Sequence, residues 1–196
     1  MADSRRLAAV SGAVSAVGTP TSIVVLTLVA PWFSWARNAF SDLGVTAGTA
    51  LAFNATVVLG GLLALPFAWL LWTVAEESGG LLRAGLFAVS GVALSAVGLF
   101  PSGDPLHVPV AVTHFVGVTA TLAVDAVVRR GERTGQAAAL AALVHVGGWV
   151  AWGAGVLPPG LAIPEFVGAV VLASWVLVLS PTGFLQPRPD TRRDRH

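Results

Sequence analysis

The sequence predicts an all-α protein, a polytopic integral membrane bundle of six transmembrane helices with both termini cytoplasmic. Only 11% of its 196 residues are charged, whereas 55% are hydrophobic and the mean hydropathy is +0.80. An ordinary soluble domain carries about 25% charged residues, so this chain cannot cover a water-soluble globule. The composition therefore excludes a soluble enzyme and a disordered protein. Six apolar segments and a one-sided distribution of arginine complete the prediction.

Six segments have the roughly 17–25 mostly apolar residues that a helix needs to cross the bilayer core. They are 7–31, 49–73, 82–100, 109–128, 136–156 and 165–181, and together they form one transmembrane domain over 1–181. The first segment follows Arg5 and Arg6, as the core of a signal peptide would. Its apolar run of about 25 residues is longer than such a core, so it is interpreted as a membrane helix.

The breaks between the segments are short and rich in turn residues, and they leave no room for a soluble domain. Pro109 marks the start of the fourth helix, and the pair Pro164-Glu165 marks the start of the sixth. Beyond the last helix, residues 182–196 are polar and arginine-rich. They are predicted to form a disordered, basic cytoplasmic tail.

The arginines give the orientation. With the N-terminus inside, Arg37 is the one arginine outside, and ten lie inside: Arg5, Arg6, Arg83, Arg129, Arg130, Arg133, Arg188, Arg192, Arg193 and Arg195. This bias matches the positive-inside rule, so the chain is predicted to lie in the cell membrane with cytoplasmic N- and C-termini. It also accounts for a pI near 9.1 without a nucleic-acid partner.

Small residues recur at four-residue spacing within the segments and predict close helix packing. The pairs are Ser11 with Ser15, Gly91 with Ser95, and Gly147 with Ala151. Such positions let helix backbones approach each other in a membrane, where no hydrophobic force drives one helix against another.

The polar residues are distributed unevenly, and the outer side holds most of the groups capable of chemistry. Its candidates for a ligand-binding site are Arg37, Ser41, Asp42, Asp104, His107, His114 and Glu165. His114 lies one to two turns below the surface in the fourth helix, where an unpaired polar group in lipid is costly. We therefore expect His114 to face inward, and we expect Asp42 and Glu165 to line the same cavity near the 101–108 loop.

Other interpretations of these residues stay open. Asp42 fits the cap of an interfacial turn, and Glu165 fits ordinary chemistry at a helix start. Asp104, His107, His114 and Glu165 are the ligand types of a zinc site with an open position, although no metal-binding spacing is present. The prediction is no cofactor, with zinc as the alternative.

Two ionisable residues inside the segments are assigned structural roles. His145 lies in the middle of the fifth helix and is interpreted as a core histidine bonded across helices. Asp125 precedes Arg129 by four residues at the inner end of the fourth helix, which predicts a local ion pair.

Four stretches carry a family resemblance: FSWARNAFSDLG (33–44), LGGLLALPFAW (59–69), GLFPSGDPLHVPVAV (98–112) and GLAIPEFVGAVVLASW (160–175). Together they resemble the prokaryotic six-helix membrane family called domain of unknown function 998, whose members come largely from salt-loving archaea. The resemblance implies an integral membrane protein and no particular activity. It favours a shared site at the matching outer residues, which are Ser41, Asp42, Pro101, His107 and Glu165.

Three classes of function follow from these observations. The leading hypothesis is a multi-pass membrane protein whose polar pocket opens to the outer face and binds or transports a lipid headgroup or small solute. The first alternative is a metal-dependent intramembrane lipid hydrolase, with a metal-bound water as nucleophile. The second is a structural or assembly subunit. The lipid bilayer is the one partner that the sequence identifies. The sequence does not decide whether the protein is an enzyme.

Overall fold

The computed structural model describes residues 2–182, and these form an all-α bundle. Six long helices follow one another: α1 Ala2–Val29, α2 Ala50–Thr73, α3 Ser78–Leu99, α4 His107–Val128, α5 Arg133–Gly153 and α6 Ala162–Ser174. A short 3-10 helix, Phe40–Gly44, lies between α1 and α2, and a π-helical turn, Trp175–Leu179, extends α6. Of the predicted tail over 182–196, all but Thr182 lies outside the described residues.

Five helices in the described part of the chain are long and apolar enough to cross a membrane: Asp3–Val29, Ala50–Thr73, Ser78–Leu99, His107–Val128 and Ala162–Leu179. The sequence predicted six such spans. The helix that falls short is α5, because Gln136, His145 and a terminal stretch of Gly and Trp residues lower its hydropathy. The helix itself is present and packs between α4 and α6.

Each helix packs against the next along the chain, and α6 closes the bundle by packing against α1 and α4. Short connections between consecutive helices make such neighbours antiparallel. Helices α2 and α3 and the π-helical turn meet in an aromatic cluster formed by Phe67, Phe87 and Trp175, with ring centroids 5.6–6.4 Å apart. Phe67 and Trp175 are fully buried there.

Glycine brings α2 close to both of its neighbours. A Cβ atom at Gly61 would collide with the carbonyl oxygen of Gly91 and with Ser95 on α3, and one at Gly60 would collide with Thr19 on α1. These contacts agree with the packing role predicted for Gly91 and Ser95. In a bilayer, where helices gain little from hiding apolar surface, such close approach supplies the packing energy.

Two serine hydroxyl groups of α1 form hydrogen bonds with backbone carbonyl groups of α2. Ser15 Oγ donates to the carbonyl oxygen of Gly60 at 2.7 Å, and Ser11 Oγ donates to that of Leu63 at 2.7 Å. Both serines belong to a predicted small-residue pair. The third predicted pair differs, because a Cβ atom at Gly147 would have no heavy atom within 4 Å.

The difference between Gly61 and Gly147 gives a matched test of packing. We expect Gly61→Ala to lower the free energy of unfolding by about 1–3 kcal/mol, since the added methyl group overpacks the α2–α3 contact. Gly147→Ala should leave it unchanged or slightly higher, because alanine favours a helix and meets open space there. Thermal unfolding in one detergent measures both variants. Equal stability of the two would contradict a tight α2–α3 approach.

Candidate functional site

A cavity of about 120 Å³ lies inside the bundle. Its wall is built by α1, the 3-10 helix, α2, α3, α4 and α6. On α4 the lining runs from His107 to Phe115, and on α6 it runs from Glu165 to Ala173. Eight residues of helix span about 12 Å, so the cavity is deeper than it is wide.

The polar lining residues gather toward one end of this cavity. Ser41, His107 and Glu165 line it at the end where α4 and α6 begin, and His114 lines it further down. The remaining lining is almost wholly aliphatic and aromatic, apart from Ser15 and Thr19 on α1. The cavity is therefore amphipathic. We call the end lined by Ser41, His107 and Glu165 the mouth and the apolar remainder the shaft.

Glu165 is positioned by the 3-10 helix. Its Oε2 accepts a hydrogen bond from the backbone N–H of Phe40 at 2.8 Å, 125 residues away in sequence. Two backbone hydrogen bonds hold the same elements together, from Gly160 N–H to the Ala36 carbonyl and from Ala162 N–H to the Asn38 carbonyl, both 3.0 Å. Glu165 thus fixes the start of α6 against the connection between α1 and α2 and does more than open its own helix.

Asp42 lies beside this junction but belongs to the loop. Its Oδ2 accepts from the Ala39 N–H at 3.1 Å and from Asn38 Nδ2 at 2.8 Å. These bonds cap the 3-10 helix, which is the alternative role that the sequence left open for Asp42. Asp42 is not among the residues that line the cavity, so the two carboxylates share a junction and only Glu165 faces the interior.

Two histidines of the cavity lining are held by backbone carbonyl groups through Nδ1. His107 Nδ1 lies 2.8 Å from the Phe100 carbonyl oxygen, and His114 Nδ1 lies 3.0 Å from that of Ser90. A carbonyl oxygen only accepts, so in each neutral ring Nδ1 carries the proton and Nε2 is the acceptor. Ser90 Oγ donates to the His114 carbonyl at 3.1 Å, which agrees with this tautomer.

Besides Asp42, two of the predicted candidates lie outside the cavity. Asp104 is exposed in the α3–α4 loop, where its Oδ1 accepts from the Leu106 N–H at 2.8 Å. Arg37 is also exposed, and its contribution to the junction is its backbone, against which Gly160 packs closely. Within residues 2–182, His107, His114, Asp104 and Glu165 do not form a group of three or more metal-ligating side chains.

The charge at the cavity mouth has no counter-ion in the described chain. The recorded ion pairs of residues 2–182 involve Asp125 and Glu132 at the opposite end of the bundle, and none involves Asp42 or Glu165. No arginine lines the cavity, and the sequence contains no lysine. The mouth is therefore acidic.

Asp125 forms a second polar cluster, at the other end of the bundle. The predicted pair with Arg129 is present, through Nε at 2.9 Å and through a short contact from Nη2. Asp125 also accepts from Arg83 Nη1 on α3 at 2.7 Å and from the Trp175 indole N–H at 2.7 Å. Asp125 is fully buried, so the local pair predicted from sequence is in fact the centre of a network.

This network joins three helices. Arg129 Nη2 also donates to the carbonyl oxygen of Leu179 at 2.6 Å, which ties the end of α4 to the π-helical turn. The sequence analysis did not identify Arg83 or Trp175 as partners of Asp125. The contact of Arg83 with Asp125 could have been predicted, because the predicted topology places Arg83 at the same inner end as Arg129.

His145 is a satisfied core residue. The Trp149 indole N–H donates to its Nε2 at 3.0 Å, so Nδ1 carries the proton and faces Thr119 Oγ1 on α4 at 3.0 Å. The ring is fully buried and lies so close to α6 that a Cβ atom at Gly168 would collide with it. Both nitrogens are engaged, as the structural interpretation of His145 expects.

The Asp125 network predicts a large stability effect. Asp125→Asn leaves the buried Arg83 without a counter-charge and Arg129 with only the exposed Glu132, so we expect the free energy of unfolding to fall by about 3–5 kcal/mol. Glu132→Gln is the matched control, since Glu132 lies 3.8 Å from Arg129 and its side chain is 60% exposed. Chemical unfolding in detergent compares the two. Equal small effects would show that the network contributes little.

Comparison with known proteins adds a family and no activity. No curated protein shows a significant match to the chain, and no solved structure does. The family described as "Protein of unknown function (DUF998)" matches residues 10–181, which include all six helices except the first residues of α1. The resemblance noted in the sequence is thereby confirmed, and the chain belongs to the DUF998 family.

Proposed function

We propose that this protein is a multi-pass membrane protein that binds an amphiphile, with the polar head at the cavity mouth and the chain in the apolar shaft. The observation that carries this proposal is the distribution of the lining. Ser41, His107 and Glu165 occupy one end, and aliphatic and aromatic side chains occupy the depth. Ligand pockets typically combine an apolar wall with a few convergent polar groups that orient the ligand.

The size of the cavity decides how much of the ligand fits inside. An apolar cavity of about 150 Å³ holds one benzene molecule, so a cavity of about 120 Å³ admits only a few carbons of the chain, with the head at the mouth. A second, more open groove of about 460 Å³ runs along α1 and α6. It shares four wall residues with the cavity: Ala16, Pro20, Phe166 and Ala173. The remainder of an alkyl chain would lie in this groove, against the bilayer.

The arginine distribution supports an outward-facing mouth. With six helices and a cytoplasmic N-terminus, the loops that carry Arg37, Asp104 and Gly160 share the outer surface, and the ends near Arg83 and Arg129 are cytoplasmic. The backbone hydrogen bonds between the first and last of these loops agree with a shared surface. The proposal therefore includes cytoplasmic termini.

The hydrolase and assembly-subunit hypotheses have no comparable observation in their favour. A metal-dependent hydrolase requires ligands that converge on one ion, and the candidate ligands form no such group within residues 2–182. An assembly subunit does not require an internal amphipathic cavity.

A photoaffinity experiment tests amphiphile binding. The probe is a neutral alkyl glucoside with a diazirine on its chain, applied to the protein in lipid nanodiscs. We expect labelling to concentrate on α1 and α6 peptides that line the cavity and the groove. Ala111→Phe should reduce this labelling at least about fivefold, since a phenyl group fills a cavity of this size.

Val112→Phe is the matched control, because Val112 is the next residue of α4, is 54% exposed and lines neither space. It should label as the wild type does. Labelling spread evenly over all exposed helix faces, or equal labelling of the two variants, would refute the proposal.

Orientation can be tested by cysteine accessibility, because the chain has no native cysteine. We expect Ser102→Cys, in the α3–α4 loop, to react with a membrane-impermeant maleimide added to intact cells. Gly131→Cys, in the α4–α5 loop, should react only after the membrane is opened. The reverse pattern would invert the proposed topology and place the cavity mouth on the cytoplasmic side.

A further inference from the structure

The cavity mouth offers hydrogen-bond acceptors and no charged donor. The Nε2 atoms of His107 and His114 are acceptors in the neutral rings, because each Nδ1 is held by a carbonyl oxygen. Glu165 adds a carboxylate, of which Oε2 accepts the Phe40 N–H. A ligand that complements this lining donates hydrogen bonds or carries positive charge.

The two carboxyl groups at the cavity mouth also lack a basic partner within residues 2–182. Asp42 and Glu165 accept the N–H groups of the consecutive residues Ala39 and Phe40, so the two carboxylates are neighbours. Neither has an ion pair in the described part of the chain. A carboxylate at membrane depth normally has a cationic partner, because an unpaired charge in a low-dielectric site is costly.

Aromatic rings flank Glu165. Phe40, whose N–H binds the carboxylate, and Phe166, which follows it in sequence, both line the cavity. Trp35 packs edge-on against both rings, with centroids 5.3 and 5.2 Å away, and holds them in place. Aromatic rings and a carboxyl group in the lining of one cavity are the groups that bind organic ammonium ions.

Resting on the amphiphile binding proposed above, we infer that the bound head is an organic cation, an amine or quaternary ammonium group carried on an alkyl chain. Glu165 is its counter-ion, and Phe40 and Phe166 contact its alkyl substituents. An anionic head, such as a sulfate or a phosphate monoester, would face the Glu165 carboxylate, and the cavity lining within residues 2–182 contains no arginine. The volume of about 120 Å³ suits a small ammonium head.

Competition among three amphiphiles with the same chain tests the head. Dodecyltrimethylammonium, dodecyl glucoside and dodecyl sulfate each compete with the alkyl glucoside photoprobe in nanodiscs of neutral lipid. We expect the ammonium compound to displace the probe at about one tenth of the glucoside concentration, and the sulfate to be the weakest. In Glu165→Gln, this tenfold preference should disappear while probe labelling persists, since the glutamine oxygen can still accept the Phe40 N–H.

Asp104→Asn is the matched control, because Asp104 is an exposed acid in a neighbouring outer loop and lines no cavity. It should keep the full ammonium preference. Comparing variants in the same lipid cancels the different membrane partitioning of the three compounds. A Glu165→Gln variant that keeps the preference, or an Asp104→Asn variant that loses it, would overturn the inference.

The experiment also separates this inference from the proposed function. Saturable labelling of the wild type without any preference among the three heads would overturn the ammonium assignment and leave amphiphile binding in place. Absence of saturable labelling in the wild type would remove amphiphile binding itself. Labelling of Glu165→Gln by the neutral probe shows that the variant is folded, so a lost preference cannot be attributed to a collapsed cavity.

Discussion

The bundle depends on how α6 is held, and a fully buried carboxylate fixes its C-terminal end. Asp125 on α4 binds the Trp175 indole, and Arg129 reaches the Leu179 carbonyl, so this end of α6 is anchored to α4. At the other end, Glu165 binds the Phe40 N–H. Between these anchors, small side chains such as Ala169 and Ala173 face α1, and the space that they leave is the cavity.

The acidic side chains at the two ends of the bundle have different partners. Asp125 is surrounded by two guanidinium groups and an indole N–H, and its charge is neutralised inside the protein. Glu165 and Asp42 receive only N–H groups, most of them from the backbone, so their charge is left without an internal counter-ion in residues 2–182. The ammonium head proposed above would give the second arrangement the counter-charge that the first already has.

The sequence predicted the helices and much of the polar end, but not how the helices face one another. Apolar run length and turn residues indicate where a helix lies. Helix α5 is long enough to cross a membrane, but its hydropathy is too low because it carries Gln136 and His145. In a membrane helix all faces are apolar, so periodicity does not reveal which face meets a neighbour. The contact of Asp125 with Trp175, 50 residues away, could not be predicted for this reason.

Residue spacing predicts contacts within one helix or turn better than contacts between helices. The Asp125–Arg129 pair follows from a separation of four residues, and the cap formed by Asp42 follows from its place in a turn. Convergence of Asp104 with the histidines was expected from a shared surface alone. The structure places Asp104 in its own loop turn, because its side chain satisfies the Leu106 N–H two residues away.

The π-helical turn at the end of α6 has a consequence for how this sequence can vary. In it the Ser180 N–H donates to the Trp175 carbonyl at 2.7 Å, five residues back, so the turn holds one residue more than an α-helical turn. The widening begins after Ser174, beyond the stretch of α6 that lines the cavity. A change of one residue in the length of this turn would therefore keep the register of Glu165 through Ala173, but it would disturb the contacts that Trp175 and Leu179 make with Asp125 and Arg129.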